Sequence, residues 1–176
     1  MKKLLAIAAM TALMTTCGIQ AKAQSTYRPE IQVVMQENFI DYLVELKRTK
    51  EINARIYLLK KQVGKTWYIF SGNTPRGWDC SGLVMWFYSD LGYELEHSVN
   101  DQMVSGEIVT EPMIGDIVTL KYKGNKRGYH NGIYAGDGFY IHAPQPGRLT
   151  SLDLISASGG SYSDVVYTRI IPSVVD

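Results

Sequence analysis

Apolar residues recur at helical spacing through the first third of the chain. Ile31, Val34, Met35, Ile40, Leu43, Val44 and Leu46 trace one face of a helix over 29–49, and Pro29 with Glu30 suits its first turn. Ile52, Ile56 and Leu59 trace a second helix over 51–62, which Gly64 ends. The periodicity then fails: TWYIFSGNTPRGW, 66–78, is aromatic and rich in turn formers. An apolar run, SGLVMWFYSDLG, follows Cys80 and stops at Gly92, which predicts a buried helix. A short helix within 98–106 has Ser98 as its N-cap and Asp101 three residues on.

The second half has another rhythm. Residues 116–123, 130–136 and 139–144 are β-branched and aromatic, separated by turns that contain Gly, Lys and Asp, and 164–171 reads as a last strand. Helices first and antiparallel strands afterwards predict an α+β fold.

The start of the chain belongs to neither pattern. MKK is a positive leader, LLAIAAMTALM is an apolar run too short to span a bilayer, and Ala21-Lys22-Ala23 supplies small residues for cleavage before Gln24. Residues 1–23 are therefore expected to be a signal peptide, which places the protein in the periplasm, cell envelope or extracellular space. Acylation of Cys17 is the alternative, although Thr16 is bulkier than the residue such a site carries. Residues 24–50 are expected to form a helical extension and 51–176 the main domain.

Charge excludes some functions. Cleavage removes Lys2, Lys3 and Lys22 from 18 basic side chains and leaves all 17 acidic ones, a net charge of −2. That balance points to neither a nucleic-acid partner nor anionic lipid. No membrane span is expected in the mature chain.

Cysteine usage raises the question of chemistry. Only two cysteines exist, and cleavage leaves Cys80 alone. A lone thiol outside the cytoplasm is core filler, half of an intermolecular disulfide, or a nucleophile. Cys80 stands where a helix begins, so the free N–H groups there favour a thiolate and suit an oxyanion. Three histidines are available as its base. His130 and His142 lie on consecutive predicted strands joined by AGDG, and a hairpin there brings both to one sheet. One imidazole then takes the thiol proton and the other orients it. Zinc ranks lower, because no tight Cys or His spacing exists, and no cofactor is expected.

From about 52 to 150 the chain resembles the NlpC/P60 family of papain-like cell-wall cysteine endopeptidases. DCSGLV resembles the nucleophile motif, KKQVGKTWYIFSG the approach segment, SVNDQMVSG the Gln-containing helix and IGDIV the following strand. HNGIYAGDGFYIHAP resembles the His strand, its hairpin and the His-Ala-Pro end. The resemblance implies Cys80 as nucleophile, His130 as base and acid, and His142 as the residue that orients His130. It implies Tyr68 near the oxyanion, and Tyr68, Asp79 and Ser81 as substrate-binding residues; Asp79 is equally a helix cap. The implied substrate is the peptidoglycan stem peptide, at the γ-D-glutamyl–diamino acid bond. Another amide substrate, attacked by an amidase or an antibacterial effector of this fold, and a catalytically silent wall-binding module are the alternatives. Asn131 stands where the family has Val, a polar group expected near the imidazole. His97 is read as a surface residue, and the basic loop before His130 as a solvated hairpin tip.

Overall fold

The computed structural model describes residues 29–159 and 163–171. The expected signal peptide, Cys17 and the cleavage point lie outside them. Among the described residues no helix is long and apolar enough to cross a membrane.

Helix α1 runs without interruption over Pro29–Lys60, where the sequence pattern suggested two helices. Residues 49–51 are Thr, Lys and Glu, so no Gly or Pro breaks the hydrogen-bond ladder there, and Lys47 pairs with Glu51 one turn on at 3.8 Å. The described residues divide into two units, one up to Leu46 and one from Lys47 on. In the first, the described part of α1 exposes Met35, Tyr42, Val44 and Leu46.

The second unit holds the remaining elements. A small hairpin, β1 (Asn73–Thr74) and β2 (Gly77–Trp78), leads into α2 (Cys80–Ser89), followed by α3 (Val99–Met103). Then come β3 (Glu107–Val109), β4 (Ile117–Tyr122), β5 (Gly128–Gly136), β6 (Phe139–His142), β7 (Ser151–Leu154), α4 (Ile155–Gly159) and β8 (Ser163–Arg169). The sheet is antiparallel, with strand order β3-β8-β4-β5-β6-β7. The α+β fold is as the sequence pattern predicts; β3 and β7 at the two edges are the strands it did not mark.

Central strands β4 to β6 bury residues on both faces of the sheet, while the edge strands β3 and β7 are largely exposed. On one face Ile117, Ile133 and Ile141 pack with Ile52, Ile56 and Leu59 of α1 and with Leu83, Val84 and Phe87 of α2. On the other, Val118, Leu120 and Tyr140 pack with Ile155. Helix α2 is held at both ends. Asp79 caps its start. At its end the buried Arg55 of α1 donates to the carbonyls of Trp86 and Phe87 and pairs with Asp90, placing a cation where the helix dipole is negative.

Gly82, in the first turn of α2, lies against the backbone of the preceding loop. A Cβ there would fall 1.9 Å from the carbonyl oxygen of Gly72. In an open helix Gly→Ala stabilises by about 1 kcal/mol. Here Gly82→Ala is expected to destabilise by about 1–3 kcal/mol, the range for overpacking. A urea unfolding midpoint at or above that of the wild type would contradict this packing.

Candidate active site

The site is built on the first turn of α2. Asp79 adopts extended backbone angles, φ −92° and ψ −175°, as an N-cap does. Its Oδ1 accepts from the Gly82 N–H at 2.8 Å, the Ser81 hydroxyl at 3.0 Å and His97 Nε2 at 2.8 Å. Its Oδ2 accepts from the Ser71 N–H at 2.8 Å. Ser71 has φ 58°, so a non-glycine residue is kept in the left-handed region beside that bond. Burial pushes the Asp79 carboxyl up, but Gly82 N–H, His97, Ser71 N–H and Ser81 together hold it below its usual value. His97 is therefore half-buried and engaged, not the surface residue expected, because the 93–98 loop folds back onto the start of α2.

Cys80 is the first residue of α2 and is a free, half-buried thiol. Burial pushes its pKa up. The backbone N–H of Asn131 acts against that, the Asp79 charge adds to it, and the N–H groups of Ser81 and Cys80 oppose it; the result stays above the usual value. The sulfur thus lies beside the backbone of β5, one residue past His130.

Contrary to the expectation from its place in the sequence, the Asn131 side chain does not face the imidazole. Successive strand residues point to opposite faces, so Asn131 points away from His130. It donates to Gln102 Oε1 at 2.8 Å and accepts from the Thr119 hydroxyl at 2.7 Å. Gln102, fully buried, donates in turn to the carbonyls of Ser81 at 2.9 Å and Glu96 at 2.7 Å. This network joins the sheet to the first turn of α2 through a side chain of α3.

His130 and His142 meet across β5 and β6. His130 Nε2 lies 2.6 Å from His142 Nδ1, with the rings 80° apart. Gly132, between them on β5, leaves room for this: a Cβ there would fall 2.9 Å from His142 Cβ and 2.6 Å from the Tyr140 ring. Tyr140 stacks on His142 with ring centroids 4.2 Å apart and planes at 19°. Burial, then the neighbouring His142, pushes His130 down to about 3. Burial also lowers His142, against the opposing pull of Asp153. Both rings are neutral at neutral pH.

Asp153 is the residue that sequence reasoning did not find. Its Oδ2 lies 2.9 Å from His142 Nε2. It stands on β7 directly opposite Tyr140, and so on the same face as both histidines. The alternation in SLDL, 151–154, is the signal that marks this strand and its polar face. Two surface grooves of about 490 and 450 Å³ share Arg148, Leu152 and Asp153 among their walls; neither is lined by Cys80, His130 or His142.

Tyr68 is anchored by its N–H to the Arg148 carbonyl at 2.9 Å. Its hydroxyl is pushed up by burial, then by the charges of Cys80 and of Asp79. Ser81 is buried and spends its hydroxyl on the Asp79 cap. Among the described residues no group of three or more His, Cys, Asp or Glu side chains is arranged to hold a metal ion.

A helix-start thiol beside a strand whose buried histidine bonds a second histidine on the next strand is an arrangement with known relatives. The family model for the NlpC/P60 family matches residues 64–170. The chain belongs to the NlpC/P60 family. The match takes in Cys80, both histidines and Asp153. Among curated relatives, the murein DD-endopeptidase MepH of Escherichia coli is 34% identical over 115 residues, covering 60% of this chain and 42% of MepH. The gamma-DL-glutamyl hydrolase of Bacillus subtilis is 40% identical over 87 residues, covering 47% of this chain and 21% of that protein. The mycobacterial relatives that match it at 35% identity are also longer, and the chain spans about a quarter of their length (26%). Of solved structures, the NlpC/P60 domain of the peptidoglycan hydrolase SagA superposes with a TM-score of 0.56 at 29% identity, covering 68% of this chain and 97% of that one.

The cap makes a pH-dependent prediction. A carboxyl held below its unfolded value stabilises the fold above about pH 4, and that contribution fades as pH falls through the depressed folded value. Asp79→Asn is expected to be less stable than wild type by about 1–2 kcal/mol at pH 7. The gap should narrow in acid. Urea unfolding of both proteins at pH 7 and about pH 3 measures it, and a gap that widens in acid would refute the charge's role.

Proposed function

We propose that the chain is an exported cysteine endopeptidase that hydrolyses peptidoglycan stem peptides, at the γ-D-glutamyl–diamino acid bond. The single observation that carries this reading is the meeting of a helix-start thiol, Cys80, with β5 one residue past a buried, neutral His130 that is itself bonded to His142. The substrate class is supported by what the relatives are named for: a gamma-DL-glutamyl hydrolase and a peptidoglycan hydrolase. The name of MepH, a murein DD-endopeptidase, favours a second reading in which a DD bond of the same polymer is cut. Export rests on the character of residues 1–23.

In the proposed mechanism the Cys80 thiol passes its proton to His130 as the sulfur attacks the scissile carbonyl. The oxyanion is met by N–H groups at the start of α2 and by the Tyr68 hydroxyl. His130 then protonates the leaving amine, giving a thioester. Water, deprotonated by the same imidazole, releases the acid and restores the thiol. Asp79 and Ser81 shape the floor of the substrate site. Oδ2 of Asp79 holds one hydrogen bond, from Ser71, and keeps acceptor capacity for a substrate ammonium. No step calls for a metal or cofactor.

Digestion of purified sacculi, with the new peptide termini identified, tests the reading. New γ-D-glutamyl termini support the first bond, cleavage at a DD bond supports the second, and cleavage of some other amide or of none rejects both. Cys80→Ser is expected to lower the rate by about 10³-fold or more, since a nucleophile loss leaves only residual catalysis. The pH profile is a separate check. A base pushed down to about 3 stays unprotonated well below the ordinary 6.5. The acid limb of kcat/KM is therefore expected well under 6.5, and a limb at or above that value would contradict a buried neutral His130.

A further inference from the structure

We propose that Asp153 is a positioning residue that fixes the tautomer of His142 and, through it, that of His130, so that His130 Nδ1 is the nitrogen open to the Cys80 proton. This rests on the proposed cysteine mechanism and adds a fourth member to its relay.

The inference follows from hydrogen-bond bookkeeping along two contacts. A carboxylate accepts hydrogen bonds and donates none. His142 Nε2, 2.9 Å from Asp153 Oδ2, must therefore carry the hydrogen. A neutral imidazole has one N–H and one lone pair, so His142 Nδ1 is the acceptor. His130 Nε2, 2.6 Å from that acceptor, carries its own hydrogen in consequence. Only Nδ1 of His130 is left with a lone pair. Burial keeps both rings neutral, which makes the sequence of tautomers strict: neither ring has a second proton to blur it. The stacked Tyr140 ring holds the plane of His142 and so the direction of both bonds.

Without Asp153 the opposite arrangement is equally well bonded within the pair. His142 Nδ1–H donates to His130 Nε2, and the His130 hydrogen moves to Nδ1, where it blocks the base. Asp153 is suited to this role and not to packing. Its side chain is 49% exposed and bounds two surface grooves. It lies on the edge strand β7, whose pairing with β6 is made by backbone. Its removal leaves no buried cavity.

The test uses the full chain labelled with ¹⁵N, in which long-range ¹H–¹⁵N spectra report which ring nitrogen of each histidine carries hydrogen. The wild type is expected to show Nε2–H on both His130 and His142. Asp153→Ala is expected to move both rings toward Nδ1–H and to lower kcat on muropeptides about tenfold or more, with KM and the thermal midpoint unchanged. Asp153→Asn, which keeps an acceptor oxygen, should fall between. Nδ1–H tautomers in the wild type would overturn the proposal. So would an Asp153→Ala variant whose tautomers match the wild type, whatever its kcat, because its effect would then not act through the rings. A wild type that cleaves no peptidoglycan amide rejects the enzymatic reading instead, and the tautomer spectra still decide the role of Asp153.

Discussion

One carboxylate organises the start of helix α2. Asp79 gathers the first-turn amide of Gly82, the hydroxyl of Ser81, the ring of His97 and the amide of Ser71. These four donors come from three separate segments of chain. The carboxylate fixes where the helix begins, hence where Cys80 stands, and it holds the preceding loop close enough that Gly82 touches the backbone of Gly72. A cap is ordinarily a local device. Here it also sets the distance between the helix and the aromatic loop that carries Tyr68.

The second constraint is low polarity around the histidine pair. Burial pushes His130 and Cys80 in opposite senses, and both shifts favour the uncharged forms. The thiol of Cys80 and the imidazole of His130 are therefore both uncharged at neutral pH, and the proposed mechanism requires the proton to move between them only in the reaction itself. The polar side chains nearby are spent on structure. Thr119, Asn131 and Gln102 form a closed set of bonds from β4 through β5 to the carbonyl of Ser81. Buried polar groups that are fully satisfied specify a unique arrangement, because any slip of the strand leaves one of them unpaired.

The sequence made legible what local pattern controls. The apolar run after Cys80, bounded by Asp79 and Gly92, located the helix, and the β-branched runs around AGDG located the hairpin that pairs His130 with His142. Pattern did not show what depends on register. A bulge between Tyr134 and Gly136 shifts the β5–β6 pairing, so counting residues from His130 to His142 does not reveal which side chains meet. The facing of Asn131 follows from alternation alone: as the residue after His130 on β5 it points to the opposite face, wherever the strand begins. Asp153 lay hidden in a four-residue edge strand, and His97 in a loop whose course is set by Gln102 and Asp79 rather than by its own residues. The unbroken α1 shows the converse: the lull in apolar spacing near 49–51 is not an end, because no Gly or Pro there stops a helix.

The raised thiol of Cys80 has a consequence outside hydrolysis. Oxidation to sulfenic acid and exchange with foreign disulfides both proceed through the thiolate. A cysteine that keeps its proton in the resting state offers oxidants little of the reactive form. With no second cysteine in the described chain to resolve a sulfenic acid, each oxidation event would be hard to reverse. The burial that keeps the sulfur protonated therefore also limits its oxidation wherever peroxide or disulfide is abundant.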